Sequence, residues 1–518
     1  MKTSRPISLA AAASALALLL SACASPTTDK PRVELPQSFR LPQNDVVKMF
    51  EPRIGRIAIA GEDGNIIIMD QTGENIVQIT RDGNRNAGGN NTNTSSVINT
   101  YSLPVFSPDG QQLALVELTA QSTPVSSTIE VNPDAIIIQR GENSGVVVDG
   151  PNGQQSVQPV EPGMRVERQP SRVIIERGDG GGQLISSALY LASADGKRPL
   201  REIFNSENHG ITYVDWAPDH SKLAFLATNV QSQQMEMKLI EAREGARAKT
   251  IFSGEDVAWN WHPDSASLLV RVAASSDASR VSAFDIAGDK AVNIAGDAFF
   301  NAPQFSPDGG YMLLTESAGT KHTLVLADRG GNKVKDLTQF EGDSIAFAWS
   351  PRGAMLAYIV RSAGQPGSPL TVLDVNSGEK RVLTNNPVVT FFWSPDGQRI
   401  AAFSLANRTD IPQDFVGFTV VPDLSVPLML LETLDPTTSN SRPLFYFAPT
   451  SSFLRLAADF DRYSRGLNIW SPDSRKLVFT LLFGDQNGTR DYVIESEASG
   501  SLYPRVIGNG TMAFWSPK

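Results

Sequence analysis

A single cysteine, Cys23, stands in a chain of 518 residues, so no disulfide can form within it. Histidine is nearly as scarce. His209, His220, His262 and His322 are the only four, and their spacing suits no zinc site. Charged residues make up only 19%, with a formal net charge of −10 and no long run of either sign. Binding to a phosphate backbone needs clustered Lys and Arg, so no nucleic-acid partner is expected. Neither a Gly-x-Ser-x-Gly elbow nor a Walker-type glycine loop is present. No metal and no cofactor is therefore expected.

The amino terminus carries its own pattern. Lys2 and Arg5 precede an apolar stretch from Ile7 to Leu20, and Leu20-Ser21-Ala22-Cys23 follows. This resembles the lipobox of bacterial lipoproteins, which implies a signal peptide over 1–22 and acylation of Cys23. Such an anchor would hold the protein extracytoplasmically at a membrane surface, since several acyl chains on one residue bind firmly. Residues 23–53 include Pro26, Pro31, Pro36, Pro42 and Pro52 without sustained periodicity, and read as an extended tether.

From residue 54 onward one pattern recurs. Its clearest copy is Trp393-Ser394-Pro395-Asp396-Gly397, followed by the apolar run Ile400 to Phe403. The prolines of the copies are Pro108, Pro218, Pro263, Pro307, Pro351, Pro395, Pro472 and Pro517, separated by 110, 45, 44, 44, 44, 77 and 45 residues. A period in the forties signals radial repetition of one β unit. Between Ile345 and Thr384 such a unit reads as four antiparallel strands joined by Pro/Gly turns. Trp216, Trp261, Trp349, Trp393, Trp470 and Trp515 hold one fixed place, with Phe106 and Phe305 in the other copies. Neighbouring blades need a large apolar ring there to pack.

These units resemble the WD40-like (PD40) β-propeller repeat of the TolB family, whose mark is W-S-P-D-G before an apolar strand. Later parts of that repeat are matched by Leu191 to Gly196 and by Leu337-Thr338. Arg352 replaces the Asp of one copy and His262 the Ser of another. The implied fold is all-β, an eight-bladed β-propeller of four-stranded antiparallel blades over 54–518. Residues 56–80 hold three strands without a motif start, and Met512 to Lys518 is a start with nothing after it. The C-terminal strand is thus expected to complete the first blade and close the ring.

Four stretches break the period: Thr80 to Val105, the insertion 119–183 in blade 2, and the loops 405–427 and 449–466. Counting strands puts all of them on one face, across blades 7, 8, 1 and 2. Loops on a rigid scaffold carry recognition, so this arc is the expected binding surface. Its candidate residues are Arg408 and Asp410 in one loop, and Arg462, Tyr463 and Arg465 in another. The expected function is a membrane-anchored, monomeric module that binds a protein or glycan of the cell envelope. Two alternatives stand beside it: a polysaccharide lyase or hydrolase with its site at the channel mouth, and a purely structural scaffold.

Overall fold

The structure is a computed structural model. It describes residues 52–84, 96–122, 128–131, 137–138, 145–149, 155–159, 164–169, 172–177, 182–273, 279–296, 298–365, 367–420, 426–463, 466–485, 488–502 and 504–518. The expected signal peptide, Cys23 and nearly all of the tether lie outside these residues. The described residues divide into two units. One is drawn from Arg32–Arg85, Asn99–Thr119 and Ile185–Lys518 and holds the repeats; the other takes in the strands between Ala120 and Leu184. Within the smaller unit, Met164–Gln169, Arg172–Arg177 and Thr128–Val131 form one antiparallel sheet. Ile137–Ile138, Gly145–Asp149 and Gln155–Pro159 form another.

The larger unit is built of short antiparallel sheets, labelled here A to H from the inner strand outward. Sheet A joins the two ends of the repeat region: Met512–Trp515 pairs with Ile57–Ala60, which pairs with Ile66–Met69 and then Val77–Gln78. Sheet B runs Ser96–Phe106, Gln112–Ser122, Gly182–Ser193, Arg201–Ser206. Sheet C runs His209–Trp216, Lys222–Asn229, Met235–Glu241, Lys249–Gly254. Sheet D runs Asp256–Trp261, Ser267–Ala273, Arg280–Asp285, Lys290–Gly296. In sheet E the inner strand shrinks to one bridge, Phe305 to Met312, beside Tyr311–Ala318, Lys321–Asp328 and Lys333–Phe340.

Sheets F and G share a strand. Lys380–Trp393 lies outermost against Ser344–Trp349, Met355–Arg361 and Ser368–Asp374, and innermost against Ile400–Ala406, Leu428–Leu434 and Ser441–Phe447. Phe418–Val420, from the 405–427 stretch, then adds in parallel to Phe445–Phe447. Sheet H holds Lys476–Asp485, Gly488–Glu497 and Arg505–Asn509, with an inner bridge from Trp470 to Leu477.

Burial falls from the inner strands outward, as stacked blades require. Ile57–Ala60 is buried throughout, while most of Lys290–Gly296 is exposed. Each sheet is tied to the next by a bond between inner strands or motif turns. Arg56 of A donates to the Gly110 carbonyl of B at 2.6 Å. Trp216 of C donates through Nε1 to Val105 of B at 3.0 Å. The Asp219 amide of C donates to Ser265 Oγ of D at 2.9 Å. The Phe305 amide of E donates to Asn260 Oδ1 of D at 3.0 Å, and Gln304 Nε2 to the Phe347 carbonyl of F at 2.8 Å. Trp393 Nε1 of G reaches Ala348 of F at 3.0 Å, and Trp470 Nε1 of H reaches Phe392 of G at 3.0 Å. The Trp515 amide of A donates to Asn468 before sheet H at 2.7 Å. At Trp216, Trp393 and Trp470 the indole N–H thus adds a bond between sheets to the ring packing expected of this position, whereas the buried Nε1 of Trp349 and Trp515 has no hydrogen-bond partner among the described residues.

Candidate functional site

The repeated motif is a closed hydrogen-bond knot. The Ser394 hydroxyl donates to Asp396 Oδ1 at 2.6 Å and accepts from the Arg399 amide at 2.9 Å, while the Gly397 amide donates back to the Ser394 carbonyl at 2.8 Å. Ser107, Ser306 and Ser471 repeat it. Where His262 replaces the Ser, its Nδ1 lies 2.7 Å from Asp264 and its Nε2 3.0 Å from the Gly309 carbonyl of the next sheet. The departure is therefore a substitution of ring nitrogens for a hydroxyl. Where Arg352 replaces the Asp, Ser350 still holds the turn through backbone bonds to Met355 and Gly353. The motif is scaffold. At its end of the inner strands, Trp216, Trp261, Trp393, Trp515 and neighbouring prolines line a cavity of about 420 Å³.

At the opposite end the 449–466 stretch departs from expectation. It is not an open loop but a helical plug: α1 (Ser451–Ala458) and α2 (Phe460–Tyr463). Thr450 caps α1 by accepting the Phe453 amide at 3.1 Å. Phe453, Leu456, Ala457 and Phe460 recur at helical spacing and are all buried. Phe460 packs on Phe391 and Phe392 of G, and Phe453 on Phe403 and Phe447. The Arg462 carbonyl accepts from Tyr213 of C at 2.6 Å. Its guanidinium meets Asp256 of D at 2.5 Å, and Asp256 also takes Arg271 at 2.6 Å. Arg361 of F lies 3.5 Å from Asp461 and donates to the Ala458 carbonyl at 3.0 Å. This segment thereby links sheets C, D, F and G.

These contacts settle what Arg462 does in the fold. Burial alone would raise the Asp256 carboxyl, but Arg462 and Arg271 outweigh it and hold it below its ordinary value. Asp256 is a structural anion. The side chain of Tyr463 and all of Arg465 lie outside the described residues. Arg408 and Asp410 occupy an exposed single turn, Arg408–Asp410, where Asp410 accepts the Asn407 amide at 2.7 Å. The helical spacing from Phe453 to Phe460 was the signal that could have revealed the plug.

The structure adds a surface that no motif announces. Pro412, Asp414 to Phe418, Arg442 to Leu444 and Gly500 to Leu502 line a groove of about 670 Å³ beside G and H. Val416 is 97% exposed and Leu502 50%. Phe415 is fixed edge-on against Tyr446, ring centres 4.8 Å apart. Among the described residues no group of three or more His, Cys, Asp or Glu converges as metal ligands. No helix among them is long and apolar enough to cross a membrane.

No protein-family model matches the sequence, and no curated protein does. Solved structures do. TolB from Acinetobacter baumannii is similar with a TM-score of 0.35 and 17% identity, over 60% of this chain and 78% of that one. An oligogalacturonate lyase from Vibrio parahaemolyticus gives 0.37 and 13%, over 77% and 98%. The β-propeller domain of the trilobed protease from Pyrococcus furiosus gives 0.36 and 11%, over 72% and 98%. The motif knots and the sheet-to-sheet bonds carry the assignment: the chain resembles the TolB-like, WD40-like β-propellers.

Proposed function

We propose that this chain is a lipid-anchored, extracytoplasmic propeller of eight blades, closed by its C-terminal strand, that binds a protein of the cell envelope. The bonds between successive sheets and the pairing of Met512–Trp515 with Ile57–Ala60 support the closed ring. The lipobox-like Leu20 to Cys23 supports the anchor. The observation that carries the binding role is the apolar groove beside G and H, with Val416 and Leu502 presented to solvent. Exposed apolar area of this kind favours a protein partner over a sugar. Its wall ends in Phe418–Val420, the last strand of its sheet among the described residues. The ion-paired Asp256, Asp461 and Arg462 at the plug favour a binder over a hydrolase.

The test is a pull-down from envelope extract with the Val416→Asp/Leu502→Asp double variant beside the wild type. Both positions are solvent-facing, so stability should change by no more than about 0.5 kcal/mol per site in urea unfolding. A partner captured by the wild type and lost with the variant supports the reading. Equal capture by both, or none by either, overturns it.

A further inference from the structure

A second cavity lies on the motif-turn side of sheets A, B and C, away from the groove. It has a volume of about 350 Å³, and Arg56, Asp109, Arg198, Arg201 and His220 are among its lining residues. Most of its lining is polar, and the charges are unequal. Asp109 is engaged locally, accepting from Ser107 Oγ at 2.5 Å and from the Gln111 amide at 3.0 Å. The other carboxylate, Asp195, accepts the Lys197 amide at 3.1 Å with Lys197 Nζ at 3.5 Å. Arg56 is held in place by the Ala194 and Gly110 carbonyls, at 2.9 and 2.6 Å. Arg201 makes one long bond, 3.3 Å, to Gln112. Three guanidinia from two sheets therefore face two carboxylates that already have partners.

His220 supplies an independent observation. It occupies the fifth place of its motif, where the backbone turns left-handed: φ is +71° at Gly110, +73° at Gly309, +65° at Gly397 and +53° at His220. A side chain there is strained, at a cost on the order of 1 kcal/mol that glycine avoids. Ser265 and Ser474, at the same place in other turns, use the side chain to accept the Asp219 and Asp396 amides, at 2.9 and 3.0 Å. His220 does not. Its Nε2 stands 3.9 Å from Asp109, beyond hydrogen-bond reach, and the side chain is 48% exposed at the cavity.

We infer that this cavity binds a phosphate group. Guanidinia from sheets A and B, with an imidazole on a third sheet, can address several oxygens of a tetrahedral oxyanion; a planar carboxylate offers only two. The phosphate could belong to a lipid headgroup or to a soluble ester, and the site chemistry is the same.

The test uses the full chain carrying Cys23→Ser, so that no acyl chain contributes. Calorimetric titration with inorganic phosphate and with glycerol 3-phosphate should show saturable binding at millimolar ligand. Arg198→Gln and Arg201→Gln should each weaken it about tenfold, the loss of one charge-assisted hydrogen bond. His220→Gly should weaken binding while its thermal midpoint stays level or rises, which a merely structural histidine would not do. Flotation with phosphatidylglycerol vesicles but not phosphatidylcholine vesicles assigns a lipid source; flotation with neither assigns a soluble ester. Absence of saturable binding to either phosphate, or binding unchanged in both Arg variants, overturns the site.

Discussion

Ser394 accepts one amide and donates to one carboxylate within a six-residue turn, so its hydroxyl is worth more than its size suggests. Ser394→Ala leaves the Arg399 amide and Asp396 without that partner and should cost about 1–2 kcal/mol in urea unfolding. The motif aspartates couple such turns to pH. At Asp308 the Ser306 hydroxyl, then the Gly310 amide, hold the carboxyl below its ordinary value. At Asp396 partial burial pushes the other way, and the Ser394 hydroxyl and Gln398 amide outweigh it. Asp109, Asp219 and Asp264 are lowered too. A depressed carboxyl stabilises the fold above its unfolded pKa, about 3.9, and that contribution is lost as pH falls through the folded value. Circular dichroism should therefore show cooperative unfolding below about pH 4, with Asp308→Asn less stable than wild type at pH 7 by an amount that shrinks on acidification. A flat difference between the two proteins from pH 7 to pH 3 would contradict this.

Among the elements, the four-strand units and their turns were legible because β periodicity and Pro/Gly chemistry act within a few residues. The plug is harder to see in the sequence for a reason that is equally physical. Its helix is short, and only the walls provided by Phe391, Phe392, Phe403 and Phe447 make burying Phe453 and Phe460 favourable. Phe460→Ala should cost about 3–5 kcal/mol, the range for a fully buried aromatic. Arg462→Met should cost about 2 kcal/mol, because Asp256 would keep only Arg271. If both variants unfold at the wild-type urea midpoint, the segment is not packed as described. Arg462 also shows what a charged cluster in an insertion leaves undisclosed. Its partner, Asp256, is remote in sequence and stands at the start of a strand where no motif marks it.

For the whole molecule, the critical junction is sheet A, where Met512–Trp515 and Ile57–Ala60 meet in register from Trp515 opposite Ile57 to Met512 opposite Ala60. Removing residues 512–518 would leave the buried strand Ile57–Ala60 with a free edge and uncover Ile57 and Ile59. Size-exclusion chromatography of that truncation should show aggregate rather than monomer; a well-behaved monomer would argue against closure through this strand. The repeat period, the motif turns and the pairing of the two ends were readable from residues alone, because each depends on local backbone preference and on an unfilled strand position. The identity of the surfaces was not. The plug, the groove at Val416 and the Arg56–Arg201–His220 cavity each gather side chains from strands or turns far apart in the chain. Their neighbours are set by how the sheets stack, and only the tertiary structure decides that.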